Sequence, residues 1–218
     1  MDETSKALIR RLHDVRYVNT YFKGEGIDIG AGRDSIGKYK EQFPLMANVK
    51  AWDMPDGDAQ YMASVPDNTY DFVHSSHCLE HMVDPNIAFK NWVRICKPGG
   101  YIITCIPDED LYEQGVFPST FNGDHKSTWS ISKEKSWSPV HVSLTTFLRQ
   151  FNEDIEVLKV ELINGSYMYN LVRIDQTSSS ISECAIEFIA RKKTQTEKDK
   201  FGRYPPQIKQ FSLNDLLR

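Results

Sequence analysis

The sequence predicts an α/β domain, a mostly parallel sheet with helices on both faces. Three observations carry this. Short apolar segments alternate along the chain with segments of helical period, the order that builds a parallel sheet. Residues 101–106, Y-I-I-T-C-I, form an apolar run without alternation, as expected of a strand covered on both faces. The first strand, inside E-G-I-D-I-G-A-G at 25–32, runs straight into glycines, which permit a tight turn and a close backbone approach to a ligand.

The elements follow in order. Residues 3–22 read as an N-terminal helical cap covering 1–22, with Leu8, Leu12, Val15 and Val18 at helical spacing. The core domain, residues 23–193, opens with the strand at 25–29, followed by a short helix over 33–43. A second strand, 49–52, ends at Asp53, and a third covers 70–74, Y-D-F-V-H. Residues 84–96 form a helix, with Asp84 as its N-cap, Pro85 at its first position and K-P-G-G at 97–100 to stop it. After the apolar strand comes an irregular insertion, 108–141, read as a lid over the site. A helix over 143–151 and two strands, 155–163 and 184–191, complete the domain, the strands pairing as an antiparallel edge. Residues 194–218 are expected to be a polar, extended tail.

Composition narrows the function. The chain has 218 residues, 40% hydrophobic and 26% charged, with a net charge of −4. That balance is typical of a soluble globular domain and argues against nucleic acid held by phosphate contacts. The start, M-D-E-T-S-K, lacks a signal pattern. No apolar run approaches the roughly 20 residues that span a bilayer, so no membrane partner is expected. Cys78, Cys96, Cys105 and Cys184 are scattered without a C-x-x-C, consistent with reduced thiols and a cytoplasmic protein. The expected partner is a small molecule. The oligomeric state is left open.

In open α/β sheets ligands bind beyond the carboxyl ends of the strands. Gly30 and Gly32 lie at the first such end, without the third glycine of a dinucleotide fingerprint, which disfavours a nicotinamide enzyme. Asp53 ends the second strand about 20 residues later, where a carboxylate suits a ribose diol. Gly57-Asp58-Ala59 offers a further carboxylate beside a small side chain. H-C-L-E-H at 77–81 matches the inverted zinc-protease string H-x-x-E-H. That motif needs both histidines on one helix, whereas His77 falls at a strand-to-helix junction, so the protease reading is set aside.

Taken in order, G-I-D-I-G-A-G, Asp53, G-D-A-Q, P-D-N-T-Y-D-F-V-H-S-S-H-C-L-E-H and K-P-G-G-Y-I-I-T-C-I-P resemble the class I S-adenosylmethionine-dependent methyltransferases, closest to their small-molecule branch. The resemblance implies a Rossmann-like seven-stranded sheet with an antiparallel last strand, S-adenosylmethionine as cofactor and S-adenosylhomocysteine as product. Asp28, Gly30, Ala31 and Gly32 would then pass the methionine part of the cofactor. Asp53 and Met54 would meet the ribose, and Asp58 and Ala59 the adenine. Ser75, Ser76 and His77 would face the methionine moiety and the methyl group. Only a few residues separate Asp53 from Asp58, a departure that leaves open which of them holds the ribose. Glu80 and His81 would cap and orient the loop beside the cofactor. Alternatively His77, Glu80, His81 and a later His125 would form an N3O set, better suited to zinc or a similar transition ion than to magnesium. The scaffold role is the one adopted, and no metal is assigned.

The segments P-D-E-D-L-Y-E at 107–113 and F-N-G-D-H-K at 121–126 emerge at the same edge. His125, with a pKa near neutrality, is the first choice as base; His77 competes, and Asp124 would orient His125 or act itself. Arg33 and Lys126 would bind an anionic group, and Asp108, Tyr112 and Trp129 complete the acceptor site. Within them the blocks D-E-D-L-Y-E at 108–113 and D-H-K at 124–126 resemble methyltransferases of bacterial surface-polysaccharide and capsule pathways, which implies O-methylation of a small polar, phosphorylated or sugar-linked acceptor. The alternative is a non-catalytic module of the same fold that holds S-adenosylmethionine or a nucleotide.

Overall fold

The computed structural model describes residues 3–203. A six-stranded sheet forms its centre, in the order β2-β1-β3-β4-β8-β7. The strands are β1 (Gly24–Ile29), β2 (Met46–Trp52), β3 (Tyr70–Ser76), β4 (Cys96–Pro107), β7 (Ile155–Ile163) and β8 (Ala185–Lys192). The β1–β2, β1–β3 and β3–β4 pairs are parallel, and β8 runs antiparallel to both β4 and β7. A separate two-stranded sheet, β5 (Thr128–Ser130) with β6 (His141–Ser143), lies within the insertion.

Among the described residues the sheet has six strands, not the seven implied by family resemblance. Residues 53–69, between β2 and β3, hold a 3-10 turn at Met54–Asp56 and irregular turns. A parallel crossover takes a dozen or more residues, so this segment accommodates one return to the sheet and no additional strand. β2 is therefore the sheet edge.

The N-terminal cap is also broken, into α1 (Glu3–Lys6), α2 (Leu8–His13) and a π-helical turn at Tyr17–Tyr21. Asp14 interrupts it with extended backbone, and its carboxylate accepts from the backbone and guanidinium of Arg16. Such local side-chain bonds compete with the helix ladder. Residues 33–43 form a 3-10 segment, Ile36–Gln42, kinked at Tyr39. K-P-G-G does not end at a turn but enters β4, with a register shift opposite Tyr70 and Phe72. Helix α3 (Pro85–Ile95) forms as expected, the Asp84 carboxylate capping Asn86 and Ile87 N–H. Helix α4 spans Leu144–Arg149, and α5, Gln195–Asp199, puts a capped helical turn where an extended tail was expected. The rest of that tail, from residue 204, lies outside the described residues.

Side-chain alternation along the strands divides the core. Ile27, Val73, Ile102 and Phe188 pack against Phe89 and Trp92 of α3 and Phe147 of α4. On the other face Phe72, Ile103 and Ile189 meet Tyr17, Phe22, Ile36 and Phe43. Gly26 lets Phe72 lie flat on β1, since a Cβ there would sit 2.1 Å from the ring.

Beneath the cap, Arg11 and Glu187 are both fully buried and bonded through Arg11 Nε and Nη2, at 3.0 and 2.8 Å. Arg10 Nη1 reaches the other Glu187 oxygen at 2.6 Å, and the Tyr17 hydroxyl donates to the same atom. Burial alone would raise the Glu187 carboxyl, but the charges of Arg11 and Arg10 hold it far below the usual range. With a depressed folded-state value, its contribution is complete above the unfolded pKa of about 4.3 and is lost as pH falls below it. Glu187→Gln leaves Arg11 buried without its partner and should lower stability by about 3–5 kcal/mol at pH 7. The variant should also lose part of the acid limb in melting temperature between pH 5 and 3. An acid limb as steep as that of the parent would contradict this assignment.

Candidate functional site

Two cavities open at the carboxyl edge of the parallel strands and meet at Gly30, His77 and His81. The larger, of about 600 Å³, is bordered by Asp53, Met54, Gly57, Asp58 and Ala59. The smaller, of about 260 Å³, lies under Glu3 and Thr4 of the cap and reaches Glu80, Tyr112 and His125.

The glycine turn is built by backbone chemistry. Gly30 and Gly32 have φ of +72° and +50°, in the left-handed region open mainly to glycine. Gly30 N and Ala31 N donate to Trp52 O, and Gly32 N donates to Asp53 Oδ2 at 3.0 Å, tying the turn to the end of β2. The other Asp53 oxygen caps Met54 N, and Trp52 Nε1 donates to Gly57 O, fixing the segment that carries Asp58. Asp28 is buried and lines the smaller cavity, but its carboxylate is engaged: His74 Nδ1 lies 2.6 Å from Oδ1 and Ile36 N donates to Oδ2 at 2.7 Å. Its place is that of a brace behind the turn.

The smaller cavity concentrates acids and imidazoles. Glu80, on the 3-10 turn Leu79–His81 after β3, is fully buried, and neither carboxylate oxygen has a hydrogen-bond partner. His77 Nδ1 lies 3.6 Å from its Oε1, and His81 Nε2 and His125 Nε2 each lie 3.9 Å from it. Burial pushes Glu80 up to about 8, opposed by the His125 charge, and pushes Glu3 up to about 7. Burial drives His77 down to about 3. For His125 burial works the same way but is outweighed: the hydrogen bond to Glu113 and the charges of Glu80 and Glu113 raise it. His77 has φ of +53°, an unusual conformation for a side-chain-bearing residue that the surrounding fold must enforce.

The structure brings together most of the sequence-predicted residues. Asp28, Gly30, Ala31, Gly32, Ser76, His77, Tyr112 and His125 line the smaller cavity, and Asp53, Met54, Asp58, Ala59 and Asp124 the larger. Others stand apart. The Ser75 hydroxyl is turned to Ile29 O, and Asp108 caps its own turn at Asp110 and Leu111. Trp129 is buried against Phe147, a core residue and not a cavity wall. Arg33 and Lys126 are exposed and border neither cavity, and Lys126 pairs with Asp124. Asp124 does not orient His125; it pairs with His81 at 3.0 Å. The partner of His125 Nδ1 is Glu113 Oε1, at 2.6 Å and fully buried. Sequence reading missed Glu113, although it lies within the D-E-D-L-Y-E segment. Only the folded insertion, twelve residues apart, brings the two together.

With this geometry in view, comparison with known proteins places the chain. A family described as a methyltransferase domain matches residues 10–153. The chain belongs to that family. An uncharacterized methyltransferase of Schizosaccharomyces pombe is 38% identical over 64 residues, 29% of this chain. That match spans 22% of the relative's length. Among solved structures, a SAM-dependent methyltransferase from Archaeoglobus fulgidus superposes with a TM-score of 0.55 at 20% identity, over 88% of this chain and 94% of the other. An S-adenosylmethionine-dependent methyltransferase from Mesorhizobium loti gives 0.54 at 13% identity, over 81% and 95%. These likenesses show a shared fold.

A Cβ at Gly30 would lie 2.7 Å from Cys78 Cβ and Sγ, on backbone that disfavours side chains. Gly30→Ala should therefore destabilise the protein by about 1–3 kcal/mol and weaken S-adenosylhomocysteine binding at least tenfold, measured by thermal melts and calorimetry. Binding equal to that of the parent would show that the turn does not border the ligand.

Proposed function

We propose that this protein transfers a methyl group from S-adenosylmethionine to an oxygen of a small polar acceptor. The observation that supports this best is the meeting of the two cavities at Gly30 and His77. Adenosine fits the larger cavity, with the ribose on Asp53 and the adenine beside Asp58 and Ala59. The methionine part then follows Gly30–Gly32, and the sulfonium methyl points into the smaller cavity past Ser76 and His77. The acceptor oxygen attacks the methyl carbon in line as the carbon–sulfur bond breaks, releasing S-adenosylhomocysteine. The acceptor proton goes to an imidazole, His125 Nε2 or its neighbour His77. Glu113 holds the Nδ1 side of His125, so the ring presents Nε2 to the cavity.

The acceptor's chemistry follows from the walls. Among the described residues no lysine or arginine borders either cavity, so an anionic acceptor lacks a cationic side chain to meet it. A hydroxyl-bearing, sugar-like acceptor fits the polar lining of Thr4, Tyr112 and Asn122. A place in a surface-polysaccharide or capsule pathway rests on the likeness of residues 108–113 and 124–126 alone. All four cysteines are free and buried, which suits a cytoplasmic site of action. Among the described residues no helix is long and apolar enough to cross a membrane. A module that merely holds the cofactor would leave the acceptor-side cavity without a role.

S-adenosylhomocysteine should bind at one site per chain by calorimetry, and methyl transfer should be found in a screen of sugar-like acceptors. His125→Ala should reduce turnover by roughly 10²-fold or more while S-adenosylhomocysteine affinity stays within a few fold. No binding to the parent would sink the cofactor assignment, and unchanged turnover in the variant would remove His125 from the chemistry.

A further inference from the structure

We infer that Glu80, His81 and His125 bind a divalent transition-metal ion at the floor of the smaller cavity. Glu80 carries the argument. Its backbone carbonyl is satisfied by Lys126 and Ser127 N–H, yet its fully buried carboxylate has no donor at either oxygen. A buried carboxylate without partners is among the least favourable arrangements in a folded protein. The polar atoms that approach it are imidazole nitrogens at 3.6–3.9 Å, too far for hydrogen bonds and well placed for an ion between them.

The ligand atoms of Glu80, His81 and His125 lie within 4.8 Å of one another. In a tetrahedral zinc site with bonds near 2.0–2.2 Å, ligand atoms stand about 3.4 Å apart, so the two 3.9 Å contacts close by roughly 0.5 Å and the widest separation, at most 4.8 Å, by up to about 1.4 Å when an ion binds. The far side of each imidazole is already engaged. His81 Nδ1 is held by Asp124 at 3.0 Å and His125 Nδ1 by Glu113 at 2.6 Å. Carboxylates at Nδ1 keep the proton there and turn the bare Nε2 of both rings toward Glu80, the usual outer arrangement of metal-bound histidine. Two imidazoles and a carboxylate suit zinc or a neighbouring first-row ion, and three protein ligands leave a coordination position open to the cavity. The set differs from the helical H-x-x-E-H pattern, because Glu80-His81 sits on a 3-10 turn and the second histidine comes from the insertion.

An ion here supplies the positive charge that the cavity walls lack, so an acceptor hydroxyl or phosphate oxygen gains a partner. Only this catalytic meaning rests on the proposed function; ion binding stands on the cluster alone. With the ion bound, His125 is a ligand rather than a base, and His77 remains to take the acceptor proton.

The test uses the full chain, stripped with chelator and titrated with zinc chloride and, for its visible spectrum, cobalt chloride. S-adenosylhomocysteine titrations of each variant verify the fold. One ion should bind per chain, with a cobalt spectrum of nitrogen–oxygen ligation. Glu80→Gln and His125→Ala should each weaken zinc at least 100-fold, and Glu113→Gln 10–100-fold, all with cofactor affinity kept. Absence of zinc and cobalt binding to the stripped parent, or equal zinc affinity in Glu80→Gln, would overturn the inference. Full methyl transfer by stripped protein would deny the ion a part in the chemistry while leaving the transferase reading intact. Zinc binding in a protein that binds no S-adenosylhomocysteine would support the ion site and sink the transferase reading.

Discussion

The buried Arg11–Glu187 pair fixes the position of nearly everything at the carboxyl edge of the sheet. Arg11 sits in α2 of the cap and Glu187 in the antiparallel strand β8, so their bond ties the chain's first segment to its last strand. The remaining Arg11 nitrogen donates to His74 Nε2 on β3. A guanidinium can only donate, so Nε2 is bare and the His74 proton lies on Nδ1, facing Asp28 on β1. Asp28 in turn receives Ile36 N–H from the segment beyond the glycine turn. One continuous polar chain thus crosses β8, the cap, β3 and β1 and ends behind the glycine turn. Breaking it strands a buried charge, which costs far more than a surface pair. The same anchoring holds Glu3 and Thr4 over the smaller cavity, aided by Ser5 N–H on Asp34 and Lys6 on Thr177 O.

The insertion is held by a second buried carboxylate. Glu109 accepts from Thr128, Lys133, Ser136 and His141, gathering both strands of the small β5–β6 sheet and the loop between them. Arg173 lies over the Phe121 ring and donates to Glu113 O, bracing the stretch that carries the His125 partner. Three carboxylates in this region therefore differ in kind. Glu187 is neutralised by arginines and Glu109 is saturated with donors, whereas Glu80 is buried with neither. Among the described residues Glu3, Glu113 and Glu161 each leave one buried oxygen without a partner, whereas Glu80 leaves both, which is why it reads as a binding site.

Much of the architecture was legible in the sequence. The apolar run at 101–106, the Asp84-Pro85 cap and the glycines at 30 and 32 each act through local rules that tertiary context left in place. The strand count failed because it came from family likeness, while residues 53–69 are too short to hold a further strand. The cap failed because leucine and valine spacing does not reveal that Asp14 breaks the helix by bonding to Arg16, or that Arg11 is buried against Glu187. At the site, positions at strand ends were legible and pairings were not. Asp124 is His125's neighbour in sequence, yet the turn directs it to His81, and Glu113 arrives from across the loop. Trp129 shows the same limit: its place in the insertion puts it in the expected acceptor site, but the Phe147 contact makes it core.

In the proposed function, cofactor and acceptor occupy two ends of one cavity that joins at Gly30 and His77. A crystal structure of the protein with S-adenosylhomocysteine tests it most directly. The expected result has the ribose on Asp53, the adenine beside Asp58 and Ala59, and the sulfur at the junction facing His77 and the Glu80–His81–His125 cluster. An adenosyl group bound elsewhere, or a sulfur directed away from that cluster, would contradict it.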